Sequence, residues 1–139
     1  MKKSLVLSAA IALVSIASSA NAEQLLFTQG SAKSGSSVAI DYVSDGQSVG
    51  VQLEILIPGK AQLDLSDFAK ELPKGYVLEQ NVVDGKLIAT IVNDDRQPMP
   101  AGIISFGSIK SVGGTGSFVL ERLESVDANG QILSVETVQ

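Results

Sequence analysis

Chemistry in this chain has to come from carboxylates, lysines, tyrosines and hydroxyls, because the chain holds no cysteine, no histidine and no tryptophan. Without thiols or imidazoles there is no disulfide, no structural zinc cluster and no imidazole metal site. Ser-His-Asp and Cys-His catalysis are excluded for the same reason, as is a histidine proton shuttle near neutral pH. With 15 Asp and Glu, a glycosidase-type carboxylate pair is an arrangement that counting leaves open. The aspartates are placed for turns instead. Asp45 and Asp84 each stand directly before a glycine, and Asp127 stands three residues before Gly130. We therefore expect no catalytic residue and no enzymatic activity.

Two acidic stretches are candidates for a cation. Asp127-Ala128-Asn129-Gly130-Gln131 resembles the start of a calcium loop. Such a loop needs acidic oxygens at its first, third and fifth positions and a distal Glu, and Gln131 and Leu133 do not continue it. An Asn-Gly hairpin turn closed by the Asp127 side chain is the better reading. Asp94-Asp95 has no third carboxylate nearby in sequence and reads as a solvated loop. No metal and no cofactor are expected. Sugar binding would need exposed rings, and there are six: Phe27, Tyr42, Phe68, Tyr76, Phe106 and Phe118. Phe27, Phe106 and Phe118 lie in apolar runs that suit a core, which leaves Tyr42 and Tyr76 as the platforms.

Residues 1–22 have the layout of an export signal. Lys2 and Lys3 open it, an apolar run follows from Leu5 to Ala17, and Ala20-Asn21-Ala22 supplies the small residues that a signal peptidase needs. That run is well short of the ~20 residues required to cross hydrocarbon. Cleavage before Glu23, a periplasmic or secreted location and a mature chain that is not membrane-embedded are the expectations. Two of the 10 basic residues lie in that segment, so residues 23–139 carry eight against 15 acidic ones, a net charge of −7. Such a field repels a phosphate backbone, so no nucleic-acid partner is expected. The length suits one domain with one core.

The elements that would position these groups are short strands. Leu25–Thr28 comes first, ended by Gly30 and Ser31; Ser34-Gly35 then turns into Val38–Val43, with Val38, Ile40 and Tyr42 on one face. Val49 to Ile57 alternates most clearly, Val51, Leu53 and Ile55 against Gln52 and Glu54. Leu65, Phe68 and Leu72 fall at spacings of three and four and predict one or two helical turns, stopped by Pro73. Tyr76–Val83 and Lys86–Val92 form a hairpin on Asp84-Gly85. After a loop at Asn93–Gly102, strands follow at Ile103–Lys110, Phe118–Val126 and Ile132–Val138. The fold class is all-β: a jelly-roll or Greek-key β-sandwich of about eight or nine short strands with one short helical turn.

In order and in detail, these pieces resemble cohesin domains. Ala32–Val38 is similar to the opening that the family writes "xxPGxxVxVxV". "VGVQLEILI" at Val49–Ile57 resembles the third cohesin strand, and Asp64–Leu72 takes the place of the "DPSVL" turn. "DGKLIATIV" at Asp84–Val92 looks like a further family strand, and "LESVDANGQIL" at Leu123–Leu133 is close to the closing "SVxAxDxNGNxI". The resemblance spans nearly all of 23–139 and implies a non-catalytic module that docks a protein, dockerin-like or another envelope protein. In cohesins the sheet holding the third strand and the following hairpin binds dockerin helices through polar contacts. The matching positions are Gln52, Glu54, Gln80, Thr90 and the loop Asp94, Asp95 and Arg96. Two further readings are a carbohydrate-binding module of the same sandwich class, which would bind polysaccharide, and a surface-appendage subunit joined by strand exchange.

Overall fold

Alternating apolar and polar residues build two five-stranded sheets in the computed structural model, which describes residues 23–139. The export signal expected at residues 1–22 lies outside the described residues. The strands are β1 (Glu23–Ala32), β2 (Gly35–Ser44), β3 (Ser48–Leu56), β4 (Gln62–Asp64), β5 (Tyr76–Val83), β6 (Lys86–Asn93), β7 (Gly102–Val112), β8 (Val119–Asp127), β9 (Ile132–Leu133) and β10 (Val135–Val138). One sheet runs β10-β1-β2-β7-β4 and the other β5-β6-β3-β8-β9. All neighbours pair antiparallel except β1 and β10, which run parallel. The core is the seam between the sheets. Leu25, Phe27, Val38, Ile40, Tyr42, Ile104, Phe106 and Ile109 enter it from one side, and Val51, Leu53, Ile55, Leu87, Ala89 and Ile91 from the other. Those fourteen side chains obey the period of two that a half-buried strand imposes, apart from a phase change in β7.

The helical expectation over Leu63–Leu72 is corrected. The one helical turn among the described residues is a 3-10 turn at Pro58–Lys60, and β4 occupies Gln62–Asp64. Leu65, Phe68 and Leu72 do face the core, as their spacing implied, but in a turn. A single Phe68 N–H to Leu65 carbonyl bond (3.1 Å) starts a turn, and Ala69 at φ 57° ends it. The chain then bonds sideways to β7, Ala69 N–H to the Phe106 carbonyl at 2.7 Å and Ser108 N–H to the Asp67 carbonyl at 3.1 Å. Pairing with a strand outcompetes a helix that has only two turns in which to develop.

Two other boundaries move. The ladder of β1 with β2 continues through Gly30 and Ser31 to Ala32↔Gly35, so the turn is at Lys33-Ser34. The final strand splits: Ile132 and Leu133 pair with β8, then the chain crosses to the other sheet, where Val135–Val138 pairs with β1. The hairpin at Asp84-Gly85 is as expected, with Val83 opposite Lys86 and both turn residues at positive φ, 53° and 77°.

Candidate protein-docking face

The outward side of the β5-β6-β3-β8-β9 sheet is set by the residues that β3 buries. Val51, Leu53 and Ile55 point inward, so Gln52, Glu54 and Leu56 point out. Registers across the sheet then define four rows. Glu79, Thr90, Gln52 and Glu124 form one, and Asn81, Ile88, Glu54 and Arg122 the next. An apolar row lies on one flank, Val77, Val92, Gly50, Val126 and Ile132, the last 70% exposed. The opposite flank is Val83, Lys86, Leu56 and Val119. The face is thus a polar band with one apolar margin and one that is apolar except for Lys86.

Of the residues singled out in the sequence, Gln52, Glu54 and Thr90 come together here, Gln52 directly opposite Thr90. Asp94, Asp95 and Arg96 follow the end of β6 and are exposed. Asn93 Oδ1 shapes that loop by accepting the Asp95 N–H at 2.8 Å and the Gln97 N–H at 3.3 Å. Gln80 is corrected: it stands opposite Ala89, a core residue, and so projects toward the core side at an open edge. Its neighbour Glu79 takes the outward place opposite Thr90. The hairpin is one residue out of phase with an outward Gln80.

Arg122 and Glu124 were missed, and the reason is a bulge. Glu54 pairs with Arg122 but Ile55 pairs with Leu120, so Glu121 is an extra residue that shifts the phase of β8. Strict alternation from Leu120 would have turned Arg122 inward. In place, Arg122 bridges Glu54 (3.4 Å) and Glu124 (3.3 Å), while Lys86 lies 2.9 Å from Glu121 and 4.0 Å from Glu54. Glu121 holds the Lys86 ammonium above its ordinary value. Glu54 is therefore flanked by two cations, with its side chain only 18% exposed. Reversing its charge would unsettle the sheet as well as any docking, so Thr90 is the cleaner position for a test.

Nothing on this face is built for sugar stacking. All six aromatic residues are buried, including both tyrosines kept as platforms. Tyr42 stacks on Phe106 at 5.5 Å, and its hydroxyl donates to Glu23 in the core. The Tyr76 hydroxyl has the backbone carbonyls of Ser48 and Gln97 as acceptors for its one proton, and burial raises its pKa to about 12. The Asp127 carboxylate has a turn role: Oδ1 accepts the N–H groups of Asn129 and Gln131, both at 2.9 Å. On the other sheet a hollow of about 310 Å³ is lined by Ala39, Asp41, Asp67, Lys70 and Ser105 among others.

No protein-family model and no curated protein matches the sequence. Solved structures do match the fold. A non-cellulosomal cohesin from Archaeoglobus fulgidus aligns over 83% of this chain and 85% of its own, at 15% identity and a TM-score of 0.59. The sixth cohesin of Acetivibrio cellulolyticus scaffoldin B, solved in complex with a dockerin, aligns over 84% and 94%, at 10% identity and a TM-score of 0.63. A type I cohesin–dockerin complex from Clostridium thermocellum aligns over 84% and 88%, at 9% identity and a TM-score of 0.59. The chain has a cohesin-like fold. The two-sheet sandwich expected from the strand pattern is the fold observed, with ten strands rather than eight or nine.

Proposed function

We propose that this chain is an exported, non-catalytic protein-interaction module that docks a protein partner on the outward face of β5-β6-β3-β8. The observation that carries the reading is the composition of that face. A polar, ion-paired centre bordered by largely apolar rows is the layout of a non-obligate protein interface, where scattered charge sets register and apolar margins exclude water. Similar folds solved as cohesin–dockerin complexes support it, and the partner is accordingly a dockerin-like or other envelope protein. The burial of every ring favours a protein over a polysaccharide. Export rests on the charged, apolar and small-residue pattern of residues 1–22. N-terminal sequencing of envelope-purified protein should begin at Glu23; an intact Met1 would refute processing.

Two arginine variants test the docking face. Thr90 sits at its centre, half-buried between Gln52 and Glu79, and Thr28 is exposed on the outside of the other sheet, opposite Ala39. Neither side chain enters the core, so both variants should melt within ~0.5 kcal/mol of the parent. Thr90→Arg should lower retention of the bound protein at least about tenfold, a loss of ~1.4 kcal/mol, while Thr28→Arg leaves it unchanged. The measurement is quantitative capture from the producing cell's envelope with all three baits. Loss with Thr28→Arg alone would move the interface to the opposite sheet.

A further inference from the structure

Of the four sheet edges among the described residues, three are short: β4 has three residues, β9 two and β10 four. Short edge strands are a standard protection against unwanted pairing. The fourth edge, β5, is eight residues long, and of the usual protections it carries only the single charge of Glu79. YVLEQNVV contains no proline, lysine or arginine, and its register with β6 runs from Tyr76 to Val83 without a bulge. From Glu79 to Val83 every residue is exposed, on both sides of the strand. Val82 belongs to the core side, opposite Leu87, yet is 53% exposed. Among the described residues the sandwich is open at this border, with apolar side chains and an unpaired row of backbone groups.

The sequence of the strand states what fits against it. In a two-fold pair that continues the sheet, opposed residues must lie on the same face, so the axis has to pass through a residue rather than between two. Centring on Glu79 would oppose two carboxylates, and centring on Asn81 would oppose Glu79 to Val83 and Gln80 to Val82. Centring on Gln80 matches every pair: Val77 with Val83, Leu78 with Val82, Glu79 with Asn81, and Gln80 with itself. Apolar meets apolar, amide meets carboxylate or amide, and no like charges are opposed.

We propose that β5 is a self-association edge, pairing antiparallel with β5 of a second copy of this chain about a two-fold axis at Gln80. The product is a continuous ten-stranded sheet that covers Val82 and Leu78 at the open border. It also sets the two outward faces side by side, so the module would present its docking surface twice. This pairing does not depend on the docking reading, and its test uses no other partner.

Sedimentation equilibrium of the purified chain from about 1 µM to about 500 µM supplies the measurement. The expected result is a mass that rises toward twice the monomer's. Position 81 then separates this edge from any other interface, because each substitution there is read twice by symmetry. Asn81→Lys opposes a cation to Glu79 in both pairs and should tighten association about fivefold. Asn81→Glu opposes two carboxylates in both pairs and should weaken it about fivefold. Asn81 is exposed, and matching melts at low concentration verify that both variants fold. A mass that stays monomeric throughout overturns the proposal. So does a dimer that responds to the two charges in the same direction, or to neither.

Discussion

Raising the pH from 4.5 to 7 should lower the unfolding free energy by on the order of 3 kcal/mol, a slope opposite to that of a protein whose carboxylates are all salt-bridged. The cause is Glu23, the first residue of β1, whose side chain is 1% exposed. Burial is the main reason that its pKa is pushed up from 4.5 to about 7, with Asp45 next. Tyr42 donates to Glu23 Oε1, and Ser125 Oγ lies 3.4 Å from the same oxygen, 2.9 Å from Tyr42 Oη and 2.8 Å from Ser48 Oγ. The Asp45 N–H donates to Oε2 at 3.3 Å, and Asp45 Oδ1 is buried without a hydrogen-bond partner. A proton on Glu23 offers that oxygen a donor.

The sign follows from proton counting. Between 4.5 and 7 the folded chain holds a proton on Glu23 that the unfolded chain has released, so stability is full below 4.5 and is lost as the pH climbs to 7. Asp41, raised by burial on the outside of the other sheet, acts in the same direction. Asp64 and Asp67 are held below their ordinary values by hydrogen bonds to Ser66 and to Lys110, and act oppositely at more acid pH. Thermal melts should therefore fall by about 10 °C from pH 4.5 to pH 7 in a chain that keeps a residue ahead of Glu23. Glu23→Gln should remove most of that slope. A chain cut before Glu23 gains an α-ammonium beside the carboxyl, which favours the charged form and should show a shallower slope. Equal slopes in parent and Glu23→Gln would show that the burial of Glu23 does not govern the titration.

Gly107→Ala should destabilise the chain by ~3 kcal/mol or more. Gly107 sits in β7 at φ 84°, where a side chain is strained, and Ile40 pairs with it while Asp41 pairs with Ser105. Phe106 is thus the extra residue of a bulge that brings both Phe106 and Ile109 into the core. A Cβ on Gly107 would stand 2.0 Å from the Asp67 carbonyl oxygen, a backbone atom. Making room displaces the turn that seats Phe68 in the core and holds Asp67 against Lys110 and Lys70. Overpacking of this kind typically costs ~1–3 kcal/mol beyond the cost of the left-handed backbone. Gly130→Ala isolates the second part, since Gly130 has φ 80° with open space around it. A loss of ~1 kcal/mol there beside ~3 kcal/mol at Gly107 is the expected contrast. Equal losses would mean that the turn at Asp67 yields freely.

These two sites mark the limits of what the sequence discloses. Alternation alone located β3, and Asp-Gly between two β-rich runs located β5 and β6 to within a residue. Both signals are local. The cohesin-like order of pieces was legible for the same reason, because each piece is a strand or turn with its own signature. Bulges at Phe106 and Glu121 have no such signature, since their cause is the register of a partner strand distant in sequence. They moved Arg122 onto the proposed docking face and Phe68 onto β7. The crossing at Ser134 and the parallel pairing of β10 with β1 are likewise long-range facts. Glu23 read as the first residue after a signal, and nothing local announces that its carboxyl closes a network with Tyr42 and Ser125 across the sandwich. The polar band was half legible: the outward positions of Gln52, Glu54 and Thr90 follow from alternation, whereas Gln80 lies on the other face because its strand's phase follows Ala89 opposite it.

Site-specific photo-crosslinking in the producing cell tests the docking face most directly. A crosslinking residue at Gln52 lies in the polar band, and one at Thr28 lies outside the other sheet. The expected result is a discrete heavier adduct with a single envelope protein from position 52, lost when Thr90→Arg is added, and none from position 28. An adduct from position 28 with position 52 silent would contradict the docking face and place the partner on the opposite sheet.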